Sequence, residues 1–76
     1  MGNWTASELA SLPTLDDVNG DELKVSDDDR RVWLGADGRT VTVEELTTDV
    51  ASGESGPHAV NVTDRWRVAE TYDGSA

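Results

Sequence analysis

The chain has no cysteine and no phenylalanine, a single lysine (Lys24) and a single histidine (His58). Each absence removes a class of function. Without cysteine there is no disulfide staple, no thiolate metal ligand and no thiol nucleophile. One histidine cannot make a histidine metal cluster, and no nucleophile, base and orienting group share a spacing that defines a catalytic set; no enzyme activity and no cofactor are expected. Lys24 and five arginines are the only cationic side chains beside that histidine, too few to line a nucleic-acid backbone, so direct nucleic-acid binding is not expected either. No apolar run approaches the ~18 residues of a spanning helix. Met1 to Pro13 lacks the basic start and apolar block of a signal peptide. These two absences predict no membrane partner and a cytoplasmic address, with a virion as the alternative.

What the chain does have is acid. Sixteen Asp and Glu give a net charge of −10 over 76 residues, and self-repulsion of that size opposes compaction. Salt relieves it, because the screening length falls from about 10 Å at 0.1 M to about 3 Å at 1 M. Asp outnumbers Glu, lysine is nearly absent, and Val, Thr and Ala dominate the small side chains. This composition resembles that of cytoplasmic proteins from salt-in halophiles, where excluded salt strengthens apolar burial. It names no family.

The length permits one domain, residues 1–76, that buries only about 60% of its unfolded surface. Any shortfall in core must come from salt, an oligomer or a protein partner. Thr5-Ala6-Ser7-Glu8 is a capping box, with Trp4 and Leu9 placed as a hydrophobic staple, and Pro13 ends the short helix it starts. Thr14 to Gly20 reads as one further turn closed by Gly20. From Leu23 onward the pattern is β-like. Arg30 to Leu34 and Thr40 to Val43 flank Asp37-Gly38, which suits a two-residue type I′ turn and sets Leu34 opposite Val41, Val32 opposite Val43 and Arg31 opposite Glu44. Residues 43–51 fit a short helix slightly better than a strand, because Thr42 to Glu45 is a second capping box with Leu46 and Val50 one turn apart. Residues 53–57 read as a flexible loop. Ala59 to Thr63 and Arg65 to Tyr72 alternate as strands, the second with Trp66, Val68 and Tyr72 on one face and Arg65 and Arg67 on the other; residues 73–76 read as a frayed tail.

The fold expected is therefore α+β, a short N-terminal helix on an antiparallel sheet of three to five strands, with a mostly β barrel or sandwich as the alternative. Asp17, Asn19 and Asp21 have the spacing that opens a calcium loop, but Glu22 stands where the turn wants glycine, so they are candidates only for weak cation binding. Three tryptophans in a chain with a thin core point to a protein interface, where Trp concentrates binding energy. Trp33 is the first candidate anchor and Trp4 the second. The function expected is a non-catalytic structural or interaction protein, a homo-oligomer or small subunit of a larger assembly such as a capsid or tail, from a halophilic source. A phosphate-mimicking inhibitor or adaptor of a nucleic-acid-binding protein is the alternative, and a weak cation-binding domain comes third. From the charge, the melting temperature is expected to rise between about 0.1 M and about 2 M KCl; a flat profile in a calorimetric salt series would remove the halophile reading.

Overall fold

The structure, a computed structural model, describes residues 3–52 and 60–75. One short helix, α1 (Ala6–Ala10), precedes five strands: β1 (Asp16–Val18), β2 (Asp21–Ser26), β3 (Arg30–Leu34), β4 (Thr40–Ser52) and β5 (Val60–Asp73). They form one antiparallel sheet in sequence order, β1-β2-β3-β4-β5. The architecture is mostly β, with one helical turn and a half in place of the expected α+β balance.

The capping box forms as the sequence predicts. The Glu8 N–H donates to Thr5 Oγ1 at 3.1 Å, and the Thr5 N–H donates to Glu8 Oε1 at 2.9 Å. Five residues cannot hold a helix in water, so docking decides whether it exists. Leu9 is fully buried, and with Ala6 it covers Val32, Leu34, Val41 and Val43 on one face of the sheet. Leu12, Val25 and Tyr72 pack at the margin of this cluster.

Four expectations are corrected. Residues 14–20 do not make a helical turn. Asn19 (φ 52°) and Gly20 (φ 91°) are the central residues of a tight hairpin in which Val18 faces Asp21; two successive positive φ angles are what a type I′ turn requires. The β3–β4 register matches expectation pair for pair, but the turn sits one residue earlier. The Gly38 N–H closes it on the Gly35 carbonyl at 2.9 Å, and of the two expected turn residues Gly38 alone has positive φ. Residues 43–51 are strand rather than helix, because β5 offers a partner to every residue from Val43 to Ala51, and a ladder of that length outweighs a local capping box. The tail is not frayed at its start: Gly74 is buried and bonded at both its N–H and its carbonyl, and Asp73 pairs with Arg39 at 2.7 Å. The loop expected at 53–57 lies outside the described residues.

Gly74 is the point where the two ends of the fold meet. Its carbonyl accepts from the Ala6 N–H and its N–H donates to the Arg39 carbonyl, both at 2.7 Å. A Cβ here would lie 2.6 Å from Val41 Cγ2 and 2.8 Å from the Ala6 nitrogen. Val41 is fully buried and has nowhere to move.

Two carboxyls are held well below their ordinary range in turns. Asp37 accepts from the Thr40 N–H, then the Arg39 N–H and the Thr40 hydroxyl, which lowers it from 3.8 to about 2. Asp73 is lowered further by Arg39, with help from Ser75.

Two outcomes are expected. Gly74→Ala should cost on the order of 1–3 kcal/mol in a urea titration, the range for overpacking a closed site; a stability equal to wild type would mean that the helix does not seat as described. Because the folded carboxyls of Asp37 and Asp73 have depressed pKa values, the stability they give is present above about pH 4 and is lost as pH falls from there towards 2. Asp37→Asn should flatten that acid loss, and an unchanged urea midpoint profile over this window would refute the assignment.

Candidate functional site

The helix covers one face of the sheet, and among the described residues nothing covers the other. Two β-bulges decide what the open face carries. In β2 the register shifts between Leu23 and Val25, so Lys24 is an extra residue. Leu23 then lies opposite Trp33 on the open face, while Val25 lies opposite Val32 on the helix side. In β5 the partner of Val43 is Glu70 and that of Glu44 is Val68, which makes Ala69 the extra residue. Tyr72, opposite Val41, therefore faces the helix side, whereas Val68 and Trp66 face the open side. This corrects the expectation that Trp66, Val68 and Tyr72 share one face, since each bulge inverts the parity of the residues beyond it.

The bulge also accounts for a buried lysine. Lys24 is 8% exposed, with Nζ donating to the Leu12 carbonyl at 3.0 Å and to Thr14 Oγ1 at 2.7 Å, and 3.1 Å from Glu22 Oε1. A buried ammonium needs such a full set of acceptors. It pins the segment between α1 and β1 against β2.

On the open face, Val18, Trp33 and Val68 line a cleft of about 280 Å³ with Asp21, Thr42 and Glu44. Val18 is 47% and Val68 61% exposed. Trp33 is half-buried, and its Nε1–H donates to Glu44 Oε1 at 2.5 Å. The cleft lining holds two carboxylates and no cationic side chain. Farther along the same face the Arg31 guanidinium stacks on Trp66, 4.1 Å from the ring centroid, a cation–π contact that covers one side of the indole. Leu46 lies directly opposite Trp66.

The sequence-predicted residues separate. Trp33 stands in the open-face cleft. Trp4 lies at the helix start, on the far side of the sheet, where its carbonyl accepts from the Tyr72 hydroxyl at 2.6 Å; burial first, and then the Glu70 charge, push that phenol above its ordinary value. The two tryptophans do not form one surface. Asp17 and Asp21 fall on opposite faces of the β1–β2 hairpin, with Asn19 in the turn between them. Asp17 Oδ1 accepts from the Gly20 N–H and Asp21 Oδ1 from the Ala36 N–H, each at 3.3 Å, so neither converges on a shared cation position. Among the described residues there is no group of three or more acidic or histidine side chains that could hold a metal, and His58 lies outside them. The hairpin's acids alternate between both faces instead of forming one ordered row. Among the described residues no helix is long and apolar enough to cross a membrane.

Val18, Val68 and Trp66 join Trp33 on the site but were not singled out as candidates from the sequence. For Val18 a signal existed, because Asn19-Gly20 is a hairpin signature. For Val68 and Trp66 none did, since an alanine at a bulge looks like any alanine in a strand. No protein-family model, curated protein or solved structure matches the chain. The described residues form a five-stranded antiparallel meander with one face covered by the helix and, among those residues, nothing packed over the other.

Proposed function

We propose that the protein is a non-catalytic interaction module, a small subunit of a larger assembly, that docks a partner protein on the open face of its sheet with Trp33 as the anchor. The observation that carries this reading is the cleft in which a half-buried tryptophan is flanked by exposed Val18 and Val68. Exposed apolar surface rimmed by polar groups is the mark of a contact site, and a tryptophan in a pocket is the residue type that dominates interface energies. The arrangement suits a component that fits between others, as in a capsid or tail. A halophilic setting agrees with the −10 charge, since molar salt weakens repulsion and strengthens apolar contact at once.

Trp33→Ala tests the reading. Trp33 is only half-buried, so the loss of stability should stay below the ~3–5 kcal/mol of a fully buried aromatic, while capture of the partner from native lysate in molar salt should fall at least about tenfold, the effect of a ~1.4 kcal/mol anchor. Val68→Ser, at an exposed position, should weaken capture with no change in circular dichroism. Collapse of the fold in Trp33→Ala would make Trp33 a core residue. Capture unaffected by either change would remove the open face as the interface.

A further inference from the structure

Next to the Trp33 cleft the open face carries an arginine held in an unusual way. On β3, Arg31 and Trp33 stand on the same face two residues apart, roughly 7 Å, and on β5 so do Trp66 and Val68. Between them on β4 lie Glu44, opposite both Arg31 and Val68, and Leu46, opposite Trp66. Arg31 reaches across β4 to lay its guanidinium on the Trp66 ring.

Arg31 differs from the other cations. Lys24 is buried and pairs with Glu22, while the exposed Arg30 and Arg39 pair with Glu45 and Asp73. Arg65 and Arg67 are exposed on the other face. Arg31 alone is part-buried with no carboxylate in ion-pair distance among the described residues, and its Nε is buried without a hydrogen-bond partner. The cause is local. Glu44 stands directly opposite, but its Oε1 is taken by the Trp33 Nε1–H. Trp66 fixes the plane of the guanidinium and offers it no hydrogen-bond acceptor, so a partly desolvated charge is left without an anion, an unfavourable state.

We infer that Arg31 is the charge anchor of the docking face, and that the partner segment seated there carries a carboxylate side chain two residues along from an apolar one. This rests on the open face being the docking surface. The apolar side chain enters the cleft beside Trp33, Val18 and Val68. Asp21 and Glu44 line that cleft and repel an acid from it, so the carboxylate sits at the Trp66 end, bonded by the terminal nitrogens of Arg31. A guanidinium held flat on an indole is pre-set for the bidentate geometry of a carboxylate. An extended segment places alternate side chains about 7 Å apart on one side, the spacing of Arg31 from Trp33. One cation near two carboxylates suits a singly charged acid better than a doubly charged phosphate. The pair is partly buried, so molar salt weakens it less than a surface pair.

The test is a titration in about 2 M KCl, read from the indole N–H resonances of Trp4, Trp33 and Trp66. The probe is the blocked tripeptide acetyl-Leu-Thr-Glu-amide, compared with acetyl-Leu-Thr-Gln-amide, which has the same shape without the charge. The acidic peptide should shift Trp33 and Trp66 together and leave Trp4, on the far side of the sheet, unmoved. The Gln peptide should bind at least about tenfold more weakly, the effect of losing one charge-assisted pair. Arg31→Gln should abolish the preference; should that variant fail to fold, the two peptides on wild type still decide the matter. Equal binding of both peptides overturns the inference and leaves Trp33 as an anchor. Inorganic phosphate shifting Trp66 as far as the acidic peptide does also overturns it, by assigning the arginine to phosphate. So does a lack of shift with either peptide, whether the face is empty or, on a dimer mass by light scattering, filled by a second copy. Capture of the native partner separates the two readings: loss in Trp33→Ala with none in Arg31→Gln keeps the open face and removes the carboxylate.

Discussion

Everything on the helix side of this molecule depends on the hydrogen bond between Ala6 and Gly74. The core there is a single layer of aliphatic side chains on β3 and β4, and Leu9 is what separates it from water. Burying one leucine is worth about 1.5–3 kcal/mol, a large share of what so small a domain has to spare. The helix that carries Leu9 is too short to form alone. Its first turn is satisfied from two sides, by Glu8 and Thr5 within the capping box and by the Gly74 carbonyl beneath it. The absence of a side chain at residue 74 sets how closely helix and sheet approach, and that distance seals the core.

The open face follows from the same economy. Five strands bury one face under a helix that spans only part of the sheet, and the two bulges shift apolar residues to the other side instead of adding them to the core. Leu23 is 7% exposed yet stands outside the main cluster, across from Trp33. A regular β2 would send Leu23 and Val25 to the same face; the extra residue at Lys24 divides them and turns the lysine into a clamp for the segment after the helix. In β5 the extra residue at Ala69 divides Tyr72 from Val68. The open apolar face thus arises from two local departures from strand geometry, each of which also serves the helix side, through Lys24 in one case and the Tyr72 bond to Trp4 in the other.

What is local and strongly patterned is legible in the sequence. The capping box at Thr5 and the register of the β3–β4 hairpin are of this kind, the second because alternation of Val32, Leu34, Val41 and Val43 forbids a one-residue slip and the short loop around Asp37-Gly38 sets the rest. Where one motif suits two structures, local pattern does not decide between them. Gly20 ends a helix as readily as it makes a type I′ turn. Thr42 to Glu45 caps a helix as readily as it fills a strand, and β5, some twenty residues downstream, made the choice. Within the candidate site, Trp33 was legible from alternation with its neighbours. Val68 and Trp66 were not, because bulge parity is set by cross-strand pairing and leaves no trace in composition.

The Ala6–Gly74 bond joins residues that lie almost the whole described chain apart. Contacts of that separation form late, since the intervening chain must be ordered first. On the ribosome the hairpins β1–β2 and β3–β4 can form as they emerge, but the face that Leu9 will cover stays bare until residue 74 is free. The side that the finished protein hides is therefore the last to be closed.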